Sequence, residues 1–242
     1  MPETNYNEFW RNNESHYNHP SVKLRYKFIK KSLQKLSFNS LLDVGCGDGV
    51  LLNDIKHNFF DKQLAGTDIS STIININKQK IEGVSFFESD ISQKNINSDL
   101  YYDVIVCSEV IEHLNAWKTA IKNLYALNNS NGFLLLTTQS GKIYKSDINV
   151  GHVQHFKLKE LIKYVEESGY TIIKAYKKGF PFYNIQKILY QIFENRAKSF
   201  QTGKTGHSNF GKIIFKITYF LFLLSPVSTI LGPQIFILAK KT

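Results

Sequence analysis

The chain has 242 residues, 43% of them hydrophobic, enough for one sizeable core, and its organisation reads as one domain carrying an insertion. Two cysteines, Cys46 and Cys107, are too few for a disulfide framework, and the polar, aromatic start lacks the apolar run of a secretory signal, so a reduced, cytoplasmic protein is expected. The formal net charge of +10 admits an anionic partner, whether nucleic acid, phosphorylated metabolite or membrane surface, but the lysines fall in short scattered groups such as Lys30, Lys31 and Lys35 that read as solvated faces.

Over residues 21–36, Val22, Leu24, Phe28, Ile29, Leu33 and Leu36 recur at helical spacing among lysines, which predicts an amphipathic helix packed on a sheet, with Arg25 on it. A first strand is expected at about 40–45, followed by a helix to about 58. Residues 63–70, QLAGTDIS, read as a second strand ending in an acid, with Ser70 or Ser71 capping the next helix. Residues 84–92 predict strand three and residues 102–110 a buried strand four. A helix at about 116–127 precedes Asn131-Gly132, a turn expected to launch strand five, FLLLTT. A loop over 139–156 then leads to a helix at 158–168, closed by Gly169, and to strand six near 170–176. Strands alternating with helices imply a parallel sheet wound on both faces.

More than fifty residues separate strand six from the last apolar stretch at 234–240, where a minimal fold of this kind needs only a turn. This insertion predicts an aromatic helix around 183–194, a Gly/Lys/Ser-rich break at 199–212 and an apolar segment at 213–231. Lys216, Ser225, Pro226 and Ser228 interrupt that segment, so it reads as a lid over a pocket or a helix lying on a membrane surface rather than a full span. The expected divisions are a helical cap at 1–38, a core at 39–178, a hydrophobic helical insertion at 179–232 and a final core strand at 233–242.

The most informative stretch is LLDVGCGDG, residues 41–49, which reads as strand, tight turn and helix. Glycines at 45, 47 and 49 let the backbone turn sharply and approach a ligand, while the following helix offers unpaired N–H groups. Asp68 ends strand two about twenty residues later, where a carboxylate can accept ribose hydroxyls. The ensemble resembles motif I and the following segments of the class I S-adenosylmethionine-dependent methyltransferases, particularly the ubiquinone-pathway O-methyltransferases and related methyltransferase-domain groups. GCGDG lacks the third glycine of the dinucleotide fingerprint, which argues against a nicotinamide cofactor.

The resemblance implies a Rossmann-like, doubly wound, mostly parallel seven-stranded sheet with an antiparallel last strand and the helical insertion between strands six and seven. It implies S-adenosyl-L-methionine as cofactor and assigns its binding to Arg25, Asp43, Gly45, Gly47, Asp68, Ile69, Asp90, Ile91 and Ser108. Arg25 would meet the cofactor carboxylate, and Asp90 the adenine amino group with Ile91 lining the base; a helix cap is the competing role for Asp90, a plain surface position for Arg25.

A second chemical stretch is SEVIEHL, residues 108–114. If it turns helically, Glu109, Glu112 and His113 fall at i, i+3 and i+4 on one face, a set that suits Mg²⁺ or Mn²⁺, with Zn²⁺ or Co²⁺ as alternatives. The same Glu-x-x-Glu-His arrangement is similar to metal-binding residues of ubiquinone-pathway and small-RNA 2′-O-methyltransferases, whereas metal-free relatives also carry a Glu-His pair there. His113 is the expected general base, with Glu109 and His155 as further catalytic candidates. His152 and His155 could also complete a metal site, but their loop resembles the HxxHF segment of metal-free small-molecule methyltransferases, which favours a place in the pocket wall over ligation. The expected reaction is O-methylation of a small polar or lipid-linked metabolite such as a sugar or surface-glycan precursor. The alternative is RNA ribose 2′-O-methylation, although no RNA-binding module is evident. Location at the inner face of the membrane, through 213–231, is the accompanying expectation.

Overall fold

The computed structural model describes residues 6–7, 19–59, 61–93, 100–192 and 209–242. Helix α1 (Pro20–Leu33) starts with proline in its first turn, where the missing N–H costs nothing, and buries Leu24, Phe28, Ile29 and Leu33. Strand β1 (Ser40–Val44), helix α2 (Val50–Asn58), strand β2 (Gln63–Asp68), helix α3 (Ser71–Lys80) and strand β3 (Ser85–Glu88) form the first half. Ser70 caps α3 by accepting from the Ile73 N–H.

Strand β4 (Tyr102–Ser108) leads through a 3₁₀ turn (Ile111–His113) to helix α4 (Trp117–Leu127), strand β5 (Asn128–Gln139) and a short helix α5 (Lys145–Asn149). Helix α6 (Leu158–Glu167) and strand β6 (Tyr170–Lys178) follow. The insertion contributes helices α7 (Phe182–Ile192) and α8 (Asn209–Leu224) before strand β7 (Gln234–Lys241). Most of the break expected at 199–212 lies outside the described residues, as does most of the expected cap before residue 19.

The strands form one sheet in the order β3-β2-β1-β4-β5-β7-β6. β7 runs antiparallel to both its neighbours, and the pairings through β3, β2, β1, β4 and β5 are parallel, as expected. Side chains alternate across the sheet, so neighbours such as Leu41 and Leu42 are both fully buried in separate cores. One core receives α4 and α6 through Ala120, Leu124, Leu161 and Val165; the other receives α1, α2 and α8 through Ile29, Ile55 and Phe222. Ring stacking of Tyr183 on Phe222, with centroids 4.8 Å apart, joins α7 to α8.

Several local expectations change. Strand three stops at Glu88, because Asp90 folds back to bond Ser92 rather than continuing the ladder. Asn131 has φ 64° but does not launch the strand; it lies within β5, where the register with β4 slips between Tyr102 and Val104. The Asn-Gly signal therefore marks a bulge in a longer strand. The stretch expected as a plain loop after β5 contains the five-residue helix α5. The apolar run at 213–231 is helical only to Leu224; beyond it, Ser228 bridges to Lys177 on β6. No helix among the described residues is long and apolar enough to cross a membrane.

Candidate functional site

At the end of β1 the chain passes Gly45, Gly47 and Gly49, all at positive φ. At Gly45 a Cβ would also collide with Val110, so this close approach requires glycine. The N–H groups of Gly45 and Cys46 bond the Thr67 carbonyl at 2.8 and 2.9 Å, which fastens the turn to β2. Asp68 then accepts from the Gly47 N–H through Oδ2 and from the Ser70 N–H through Oδ1, each at 3.0 Å. Burial raises its carboxyl above the ordinary range, while these N–H groups oppose the shift.

Asp43, immediately before the turn, is fully enclosed; burial, then Asp68 and Asp48, push its carboxyl up to about 8. Two residues near the amino terminus reach this region. Asn7 Oδ1 accepts from Ser70 Oγ at 2.7 Å and from the Thr72 N–H at 3.1 Å, capping α3 from outside, and Tyr6 sets its ring edge-on to His113 with centroids 6.0 Å apart.

A cavity of about 810 Å³ opens beside this turn. Of the residues expected at the donor, Arg25, Gly45, Gly47, Asp68, Ile69, Asp90 and Ile91 line it. Asp90 Oδ1 accepts from the Ser92 backbone and hydroxyl, and Oδ2 from Gln93, at 2.6–2.8 Å. Burial raises its carboxyl, but those bonds outweigh burial and hold it below the usual range. Asp43 and Ser108 stand behind the wall rather than on it; the Ser108 hydroxyl is bonded to Thr137 at 2.8 Å.

The far end of the cavity departs more from expectation. Glu109 adopts φ 59°, so residues 109–113 do not make one helical turn, and Glu109, Glu112 and His113 do not converge. Instead Glu109 is 3.6 Å from Arg25 and accepts from Gln139 at 2.6 Å, Gln234 at 2.8 Å and Thr137 at 3.2 Å. Burial raises its carboxyl, but Arg25 and the two amides prevail and keep it below the usual range. Glu112 is fully buried behind the cavity wall, accepts from Thr138 at 2.9 Å, and is pushed well above the usual range by burial and by Glu109.

His113 reaches the cavity, and burial lowers its imidazole below the ordinary value, leaving it neutral. His155 does not reach the cavity: it sits behind His152, with Nε2 3.0 Å from His152 Nδ1 and 3.8 Å from Asp147. Among the described residues, the groups whose ligand atoms lie within 4.8 Å of one another are Glu112, His113 and His152, and Asp147, His152 and His155.

Sequence reasoning missed the insertion's own contribution. α7 turns Tyr183, Lys187 and Tyr190, at helical spacing, into the cavity. Lys187 is buried and lies 3.1 Å from Asp147 of α5. The available signal was a single lysine in the aromatic and aliphatic helix FYNIQKILYQI, where a solvated cation would be out of place.

Comparison with known proteins places this architecture. A family profile described as "Methyltransferase domain" matches residues 15–175, well over half of the chain. The chain belongs to the class I S-adenosylmethionine-dependent methyltransferases. The methyltransferase is 28% identical over 119 residues to malonyl-[acyl-carrier protein] O-methyltransferase of Bacillus cytotoxicus, covering 48% of this chain and 41% of that one. It is 30% identical over 124 residues to ubiquinone biosynthesis O-methyltransferase of Rickettsia felis, covering 48% and 49%. The matches thus span about half the length of these curated relatives or less.

Among solved structures, the N-methyltransferase NodS of Bradyrhizobium japonicum, in complex with S-adenosyl-L-homocysteine, superposes with a TM-score of 0.60 at 14% identity, covering 98% of this chain and 99% of that one. An O-methyltransferase from a trans-AT polyketide multienzyme of Brevibacillus brevis gives 0.59 at 19%, covering 90% and 71%. These likenesses establish the fold.

Proposed function

We propose that this methyltransferase transfers the sulfonium methyl of S-adenosylmethionine to a hydroxyl of a small polar or lipid-linked acceptor. The observation that carries the reading is the two-ended cavity. One end has the glycine turn, Asp68 and Asp90; the other has His113, Lys187, Asp147 and three tyrosines. The volume suits a donor and a modest acceptor side by side. The O-methyltransferases among the similar curated proteins support the choice of oxygen.

In this reading Asp68 accepts the ribose hydroxyls, Ile91 and Asp90 meet the adenine, and Arg25 holds the cofactor carboxylate while paired with Glu109. The methyl is already activated, so the protein's task is alignment and proton removal. The acceptor oxygen attacks the methyl carbon as the carbon–sulfur bond breaks, and its proton passes to neutral His113. Glu109, kept ionised by Arg25, stabilises the imidazolium that results.

A divalent cation is a second route to the same step. Glu112 Oε1 and His113 Nδ1 are buried without hydrogen-bond partners, and with His152 they form a donor set that fits such an ion. One carboxylate and two imidazoles suit Mn²⁺ or Zn²⁺ better than Mg²⁺. When bound, the cation would let Glu112 ionise and would acidify an acceptor hydroxyl. The RNA reading weakens, because the Glu-Glu-His face that motivated it does not form.

The test is transfer of labelled methyl from S-adenosylmethionine, by the purified protein, into an extract of the source cell separated into RNA, lipid and small polar pools. Label in the lipid or small polar pool is expected, and its persistence after EDTA decides for His113 alone. Label that ribonuclease destroys overturns the proposal.

A further inference from the structure

The outer surface of the insertion is unlike the rest of the molecule. On α8, Ile213, Ile217, Phe220 and Leu224 recur at i, i+4, i+7 and i+11, which puts them on one face, and each is 55–59% exposed. The stripe continues past the helix through Val227, Ile230 and Leu231, with Ile230 78% exposed. The opposite face of α8 is already satisfied, since Phe215 and Phe222 are buried. Helix α7 repeats the pattern: Tyr183, Lys187 and Tyr190 face the cavity, while Ile185, Ile188, Leu189 and Ile192 are exposed. A soluble surface rarely leaves so many large aliphatic side chains together in water.

Charge is the second, independent observation. Residues 1–167 contain 19 Lys and Arg and 19 Asp and Glu, so that part of the chain is formally neutral. Residues 168–242 contain 11 basic residues and one acid, Glu194; Lys187 is buried against Asp147, and the others still give β6, the insertion and β7 a formal surplus of +9. Lys212 and Lys216 are exposed beside the apolar stripe of α8. A protein partner with an apolar epitope would not require this one-sided charge. A bilayer surface carrying acidic headgroups matches both features: apolar side chains enter the boundary between headgroups and acyl chains while lysines meet phosphates.

We infer that α7, α8 and residues 225–231 form a monotopic docking surface for an anionic membrane. The inference goes beyond the proposed reaction, since docking does not depend on which acceptor is methylated. It does give the insertion a coherent geometry, because α7 then separates the cavity from the lipid boundary by the thickness of one helix.

The experiment is flotation of the full chain with vesicles of phosphatidylcholine alone and of phosphatidylcholine mixed with phosphatidylglycerol, at low and high salt. Binding to the mixed vesicles, weakened by salt and far lower on phosphatidylcholine alone, is the expected result. The double variant Ile217→Glu, Phe220→Glu should lose flotation. Lys212→Glu with Lys216→Glu should weaken it by well over tenfold, since each surface lysine contributes roughly fivefold and reversal exceeds removal.

These side chains are exposed, so all variants should melt like the parent and bind S-adenosylhomocysteine with unchanged affinity; this readout separates docking from donor binding. Absence of flotation on anionic vesicles overturns the inference. So does a parent that sediments as a dimer which Ile217→Glu, Phe220→Glu converts to monomer, because the stripe would then be covered by a second copy.

Discussion

The two ends of the cavity are built in opposite ways. At the proposed donor end, the turn at 45–49, Asp68 and Asp90 come from consecutive strand ends of one parallel sheet, and each is held by backbone N–H groups or by side chains within three positions of itself, or across one strand pair. At the proposed acceptor end, Glu109, Asp147, His152 and Lys187, with Arg25 reaching across from the donor side, come from four separate parts of the chain, and most of their partners are other side chains. Local backbone geometry makes the first end rigid and repeatable. Mutual pairing holds the second end, and leaves it vulnerable to loss of either member of a pair.

If that contrast is right, the largest effect of a single change should lie at the donor end. Asp68→Ala removes the acceptor for the Gly47 and Ser70 N–H groups and for the proposed ribose contacts together. Donor affinity should fall by about a hundredfold or more, two or more charge-assisted hydrogen bonds at roughly 1.5–3 kcal/mol each. Titration calorimetry with S-adenosylhomocysteine reads this directly; parental affinity in the variant would remove Asp68 from the donor site.

The acceptor end should respond to pairing rather than to single groups. Lys187→Met leaves Asp147 buried beside an apolar side chain, and Asp147→Asn leaves the ammonium uncompensated. Each should lower stability by about 3 kcal/mol, whereas the double variant should recover most of that loss, because removing both charges of a buried pair is often near neutral. Thermal melts of the three proteins test the cycle. Equal, additive losses would show that the two residues do not act as a pair. Recovery of stability without recovery of methyl transfer would assign the pair to the acceptor.

The same contrast explains what the sequence could disclose. The glycine turn and the acid ending β2 are legible because they depend on residue spacing within single βα units; the antiparallel direction of the last strand comes only with the family resemblance. The pairing of Glu109 with Arg25, Gln139 and Gln234 was not legible: one residue at positive φ redirects the side chain, and its partners are up to 125 positions away. Assuming a helical turn at 109–113 produced a metal face that the left-handed Glu109 dismantles. Lys187 was hidden for a related reason, since its counterion lies on a five-residue helix that no periodicity announced.

The smallest effect sharpens the electrostatic side of the donor end. Asp43, Asp48 and Asp68 crowd the glycine turn, and burial with this crowding lifts the Asp43 carboxyl from 3.8 to about 8. Its folded value lies above its unfolded one, so the contribution of this group to stability is fully present below 3.8 and is lost as pH rises through about 8. A donor that brings a sulfonium and an ammonium to the turn favours the ionised carboxylate, and therefore expels a proton on binding. Affinity for S-adenosylmethionine should consequently rise with pH up to about 8, by at most roughly tenfold per unit, and level off above it. S-adenosylhomocysteine, which lacks the sulfonium charge, should show a shallower slope. Asp43→Asn should flatten both slopes and remove the matching decline in the melting temperature of the free protein. Calorimetry in two buffers of different ionisation enthalpy counts the proton released; a count of zero below pH 8, with the donor bound, would mean that the turn accommodates its three carboxylates without using the charge of the cofactor.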